Sequence, residues 1–272
     1  LARDSEITIY SDAPKTDQDS RGVGEVRDYL DTVSGFKSIQ IIKQSENQGL
    51  SKSIINGVTR SVNEYGKSIV LEDDMLTSPY FLKYMNETLD FYEKEKKVMH
   101  VAGWGYPIPG DGLDDGFLWR GMNCWGWATW QDRWAFFEKD IPALYRQVPL
   151  HKRYHFNLNG RRRYWAEVAA NKSGLFDTWA VFWYASIYLQ SGLCANPTES
   201  LVQNIGLDGT GVNCIGGVDH LAGDISRKTD FALQSVIEEN PVALKRIFDF
   251  YDRERRPFLL RLMGRLKGLL KS

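Results

Sequence analysis

Three acids stand together at Glu72-Asp73-Asp74, directly after the apolar run Ser68-Ile69-Val70-Leu71. Like charges within ~4–6 Å raise one another's pKa unless a cation relieves them. Carboxylate oxygens suit a hard divalent ion such as Mg²⁺ or Mn²⁺, which commonly binds through one or two carboxylates plus the phosphates of a substrate. A solvated acidic turn ahead of a helix accounts for the same residues, because carboxylates are favoured at helix N-termini. Two further acids attract notice. Asp12 ends the β-branched run over residues 6–10 (EITIY), and Asp177 stands among Leu175, Phe176, Trp179 and Phe182. Those apolar neighbours would partly desolvate Asp177 and raise its pKa toward the range of a general base. An N-cap for the helix that follows fits Asp177 equally well.

The elements that must position these groups alternate. Residues 6–10 read as a strand, 23–32 as a helix, 38–43 (SIQIIK) as a strand and 50–65 as a helix, with apolar positions at 50, 54, 55, 58 and 62 and Gly66 as its cap. The run 68–71 reads as a buried strand, Ser78-Pro79 opens a helix to about residue 97, and 98–101 is the next strand. Such alternation predicts an α/β fold with a mostly parallel sheet flanked by helices, whose ligands bind beyond the carboxyl ends of the strands. Asp12 and Glu72–Asp74 fall there. After residue 103 Gly, Pro and Asp give way to Trp119, Trp125, Trp127, Trp130 and Trp134. Helices are expected over 129–138 and 161–171, while 181–190 suits a buried helix or a strand. The chain from residue 245 carries nine Lys/Arg and three Asp/Glu, a net +6 against -7 for the rest.

Composition excludes several classes. The 272 residues are 43% hydrophobic and 25% charged, which rules out a disordered, collagen-like or coiled-coil chain. With 34 Lys+Arg against 35 Asp+Glu the net charge is -1, so no nucleic-acid partner is expected. Cys124, Cys194 and Cys214 stand far apart with no C-x-x-C pair, which indicates neither a zinc site nor a disulfide framework and suggests a reducing compartment. The longest apolar stretch, 179–189, is too short for the ~20 residues of a membrane span.

Several stretches, taken in order, resemble nucleotide-sugar-dependent glycosyltransferases of the GT-A (Rossmann-like) fold. The segment 66–82 (GKSIVLEDDMLTSPYFL) is similar to the acidic metal motif and following helix of that family, in the form found in the Golgi N-acetylglucosaminyltransferase that initiates complex N-glycans. Residues 9–14 (IYSDAP) resemble the strand whose closing acid meets the nucleobase, and 47–53 (NQGLSKS) the loop and helix start beneath the donor. Residues 125–130 (WGWATW) with Trp134 resemble a bacterial sugar-transferase subgroup of the family 2 type, and 176–179 (FDTW) the segment that carries the catalytic base. In the family a first strand-helix unit precedes the strand at 6–10, so the resemblance implies such a unit upstream of residue 1.

The resemblance implies a metal-dependent inverting enzyme that moves a sugar from a nucleotide sugar, UDP-linked, to a glycan or lipid-linked acceptor in surface polysaccharide assembly. It casts Asp74 as ligand to Mn²⁺ or Mg²⁺, Asp73 on the ribose hydroxyls and Glu72 as support for the loop. Asp12, Asn47, Lys52 and Trp127 would contact the donor, and Asp177 would be the base. His220, beside the glycine-rich loop 206–211, is a further candidate for a phosphate contact, whereas His100, His151 and His155 have no metal spacing. Aromatic faces pack on sugar rings, yet Trp119, Trp130, Trp134, Trp165 and Trp183 are expected in the core, leaving Trp125 and Trp127 as pocket walls. The expected organisation is a nucleotide-sugar half over 1–103, an aromatic-rich acceptor half of the same domain over 104–240, and a basic amphipathic tail over 241–272. In that tail Pro257 opens a helix with Leu259, Leu262, Met263, Leu266, Leu269 and Leu270 on one face. This predicts a cytoplasmic protein with peripheral contact to the inner face of the membrane. A nucleotidyltransferase also places acids at a strand end, but usually with a glycine-rich basic loop that is absent here. A catalytically degenerate, glycan-binding module is the non-enzymatic alternative.

Overall fold

A computed structural model describes residues 1–206 and 224–254. His220, Asp208, Cys214 and the amphipathic stretch from Pro257 lie outside the described residues.

The first half begins with β1 (Glu6–Ser11), α1 (Ser20–Leu30), β2 (Ser38–Lys43) and α2 (Leu50–Tyr65). β1 and β2 pair in parallel, Ile7 with Ile39 and Ile9 with Ile41, as a two-stranded sheet. α2 buries Ser51, Gly57, Val58 and Val62; of the expected apolar stripe, 58 and 62 are buried, Ile54 and Ile55 are half-buried and Leu50 is exposed. It stops at Gly66, whose left-handed backbone (φ +78°) suits glycine and whose N–H bonds the Val62 carbonyl at 2.9 Å. The chain then enters β3 (Lys67–Val70), turns through the three acids into the short β4 (Met75–Thr77), and continues through α3 (Phe81–Phe91) to β5 (Val98–Ala102). Ser78 does not cap α3 directly. Its hydroxyl donates to the Ser226 carbonyl at 2.7 Å and accepts from Tyr80 N–H at 3.1 Å, one residue outside the helix.

The second half holds β6 (Gly116–Trp119), β7 (Trp127–Trp130), α4 (Gln131–Trp134), α5 (Ile141–Gln147), α6 (Leu150–Phe156), α7 (Tyr164–Lys172), α8 (Ala180–Leu189), β8 (Leu193–Pro197) and β9 (Val202–Asn204). The central five-stranded sheet runs β3-β7-β5-β8-β6. Only β5 and β8 pair in parallel, and the β3·β7, β5·β7 and β6·β8 pairs are antiparallel. The fold is therefore α/β with mixed sheets, which corrects the mostly parallel expectation. The cause is β7. The expected helix over 129–138 is instead a strand over Trp-Ala-Thr-Trp and a single helical turn, and that strand inserts antiparallel between β3 and β5.

The interior is aromatic. β5, β6, β7 and β8 are buried along their whole length, and Trp119, Trp127 and Trp183 are fully buried. Trp127 lies between the rings of His100 and Trp179, at 5.3 and 5.1 Å between centroids. Gly126 just before it has φ +57° and admits the close approach of Val202, whose Cγ1 would stand 2.8 Å from a Cβ there. α8 buries seven consecutive residues, Val181 to Ile187, which settles residues 181–190 as a helix. Residues 241–254 are helical and insert Ala243, Ile247, Phe250 and Tyr251 into the same core. Among the described residues no helix is long and apolar enough to cross a membrane.

Candidate active site at the carboxyl end of β3

β3 delivers Glu72, Asp73 and Asp74 into a turn closed by Met75 N–H on the Glu72 carbonyl at 3.3 Å. Asp73 is exposed, whereas Glu72 and Asp74 are half-buried. Burial, then the charges of Asp74 and Asp73, pushes the Glu72 carboxyl up to about 7. The two oxygens of Asp74 differ. Oδ2 accepts the Asn204 side-chain amide at 2.9 Å, while Oδ1 is buried with no hydrogen-bond partner among the described residues. An orphaned, buried carboxylate oxygen among like charges is the donor that a hard cation satisfies. Among the described residues no group of three or more His, Cys, Asp or Glu could enclose a metal by itself. The geometry thus fits an ion held by one or two carboxylates and completed by substrate phosphates, not a closed protein cage.

Asn204 escaped the sequence reading. It follows a short apolar run late in the chain, and only the antiparallel pairing of β9 with β4, Met75 opposite Asn204, carries it to the acidic turn. The pairing continues with Ile205 N–H on the Asp74 carbonyl at 2.9 Å. Gly206 closes against the same carboxylate, since a Cβ there would meet Asp74 Oδ2 at 2.7 Å.

Asp12 has a different environment. Its carboxylate accepts N–H groups from Ala13 (2.9 Å), Gln48 (2.8 Å) and Gly49 (2.8 Å), and so fastens the loop that starts α2. Asn47 donates to the Ala13 carbonyl at 2.7 Å, and Arg27 of α1 ties the carbonyls of Asp12 and Gln44 at 3.1 and 2.7 Å. These residues shape a loop. Lys52 is exposed on the first turn of α2. Trp127 is wholly buried, which corrects its expected place as a pocket wall; Trp125, half-buried and edge-on to Trp104, keeps one side open.

Asp177 sits in the loop between α7 and α8 with its side chain 73% exposed and paired with Lys139, which also reaches Ser51 Oγ of α2 at 2.8 Å. The expected desolvation is absent, because Leu175 and Phe176 are themselves exposed at 75% and 58%. The capping role is absent too: the N-cap of α8 is Trp179, without a side-chain bond. Lys139 therefore joins the Asp177 loop to the first turn of the helix behind the Asp12 loop. Glu167 of α7, half-buried, is a second carboxylate that sequence inspection passed over; burial raises its pKa, opposed by the Thr178 hydroxyl. Burial, with Glu72 nearby, pushes the Cys124 thiol up to about 12, which disfavours its thiolate.

The chain matches no protein-family model and no curated protein.

Proposed function

We propose that this chain is a metal-dependent, inverting glycosyltransferase of the GT-A kind, which moves a sugar from a nucleotide sugar, UDP-linked, to a glycan or lipid-linked acceptor in surface polysaccharide assembly. The observation that carries the reading is the bare, buried Oδ1 of Asp74 within a turn of three acids at the end of a strand. A divalent cation bound there supplies neutralisation of the charge that develops on the diphosphate leaving group. The residues contribute separable tasks. Asp74 holds the cation, with Oδ2 already fixed by Asn204. Asp73, exposed beside it, is available to ribose hydroxyls, and Glu72, half-buried, supports the loop. Asp12 acts on the nucleotide through the loop it fastens, because its oxygens already accept three backbone N–H groups.

Asp177 is the base in this reading. Its exposure leaves room for an acceptor hydroxyl to approach, and its link through Lys139 to α2 holds it relative to the donor loop. Taking the acceptor proton during attack makes the hydroxyl oxygen the nucleophile on the face opposite the departing diphosphate. The setting is cytoplasmic, with contact to the membrane surface through the basic stretch beyond residue 256.

The deciding experiment is calorimetry of UDP with and without Mn²⁺, followed by hydrolysis assays on a panel of UDP-sugars. Mn²⁺-dependent UDP binding that is lost in Asp74→Ala is the expected result. Wild-type protein that binds UDP no better with Mn²⁺ than without it overturns the reading.

A further inference from the structure

We propose that Asn204 is a positioning residue for the cation site: it fixes the Asp74 carboxylate so that Oδ1, and not Oδ2, is the oxygen presented to the ion. The inference rests on the function proposed above and adds a residue to it. Asn204 is itself only 9% exposed and lies 130 positions from Asp74, on a strand whose pairing with β4 puts it beside the turn.

The amide has only one workable orientation. Its Oδ1 accepts the Gly206 N–H at 2.8 Å, so the NH₂ end must face Asp74, where Nδ2 donates to Oδ2 at 2.9 Å. A flipped amide would set its oxygen against a carboxylate oxygen and lose both bonds. The backbone reinforces this direction through Ile205 N–H on the Asp74 carbonyl, and the lack of a side chain at Gly206 leaves room for Oδ2. One hydrogen bond therefore holds Oδ2 of Asp74, a backbone bond fixes the residue's carbonyl, and Oδ1 is left bare. Ligating carboxylates commonly depend on such outer hydrogen bonds, whose loss typically costs 10–100-fold in metal affinity. The requirement is specific to an amide: aspartate at 204 would supply no donor, and an apolar residue would free Asp74 to rotate.

The test measures Mn²⁺ binding by electron paramagnetic resonance and calorimetry, in the presence of UDP, for wild type, Asp74→Ala, Asn204→Ala, Gly206→Ala and the control Gln203→Ala on the same strand. Asn204→Ala is expected to weaken Mn²⁺ binding about 10–100-fold, with metal-free UDP binding unchanged. Gly206→Ala, which crowds Oδ2 while keeping the Asn204 side chain, is expected to weaken it too, and Gln203→Ala to leave it as in wild type. Loss of Mn²⁺ binding in Asp74→Ala alongside wild-type affinity in Asn204→Ala overturns the positioning role and spares the metal reading. Wild-type Mn²⁺ affinity in Asp74→Ala overturns both. If Asn204→Ala does not fold, Gly206→Ala decides, and unchanged Mn²⁺ affinity there rejects the proposal.

Discussion

Asp12 and Asp74 occupy equivalent places in the chain, each an aspartate at or just past the carboxyl end of a strand, yet their surroundings assign them opposite kinds of work. Asp12 spends its oxygens on three backbone N–H groups and so is a fastener for the loop before α2. Asp74 is held by one oxygen and leaves the other buried and bare. A carboxylate whose hydrogen-bond capacity is met stabilises the fold, whereas one with an unmet capacity in a desolvated place is a cost that a ligand can remove. Under the proposed function, hydrogen-bond completeness, more than residue type or strand position, separates the structural acid from the chemical one.

The largest effect expected from that division falls on turnover. Asp177 fastens no helix terminus, so Asp177→Asn should keep the fold and UDP binding but lose about 10²–10⁴ in transfer rate, the usual worth of a positioned base. Single-turnover kinetics with a saturating UDP-sugar would check it; a parental rate would move the base to Glu167, the half-buried carboxylate on the neighbouring helix. The next effect falls on stability and tests the comparison directly. Asp12→Ala removes charge-assisted bonds to three N–H groups and should cost about 2–3 kcal/mol in urea unfolding. Asp74→Ala removes one hydrogen bond but also the repulsion on Glu72 and a bare buried oxygen, so its change should stay under about 1 kcal/mol. Equal losses for the two variants would erase the distinction.

Where the signal was local, it was legible. Strand 38–43 and helix 50–65 occupy the residues that their apolar spacing marks, and the five tryptophans assigned to the core are buried. The misreadings have physical causes. Trp-Ala-Thr-Trp is too short for period to distinguish strand from helix, and its partners lie some 30 to 60 residues earlier in the chain. All four residues of that strand are buried, and Trp127 packs against His100 and Trp179. Asp12 was visible as an acid at a strand end, but two of the three N–H groups it accepts belong to a loop 36 and 37 positions away. Asn204 and Lys139 gave no signal at all, because each matters only through a contact that the chain makes over a long distance.

His100 extends the comparison to a second satisfied group and gives its smallest test. The ring is completely buried in β5, where Nδ1 accepts the Trp183 indole N–H at 3.2 Å and Nε2 faces the Asn123 carbonyl at 2.8 Å. That pattern requires the neutral ring with its proton on Nε2, since a second proton on Nδ1 would oppose the indole N–H. Burial accordingly lowers its pKa to about 3, against an ordinary 6.5. The sign follows: between those values the unfolded chain binds a proton that the native ring refuses, so stability falls as pH drops below 6.5. The slope from this one group is about 1.4 kcal/mol per pH unit, and above pH 6.5 it vanishes. Every other titrating group also acts in this range, so the measurement is a difference. Urea unfolding of wild type and His100→Gln from pH 7.5 to 5.0 should give a gap that narrows on acidification, because the variant has no ring to protonate. Parallel curves would mean that His100 takes up its proton in the folded state, and that completeness of hydrogen bonding does not decide which groups in this core stay silent.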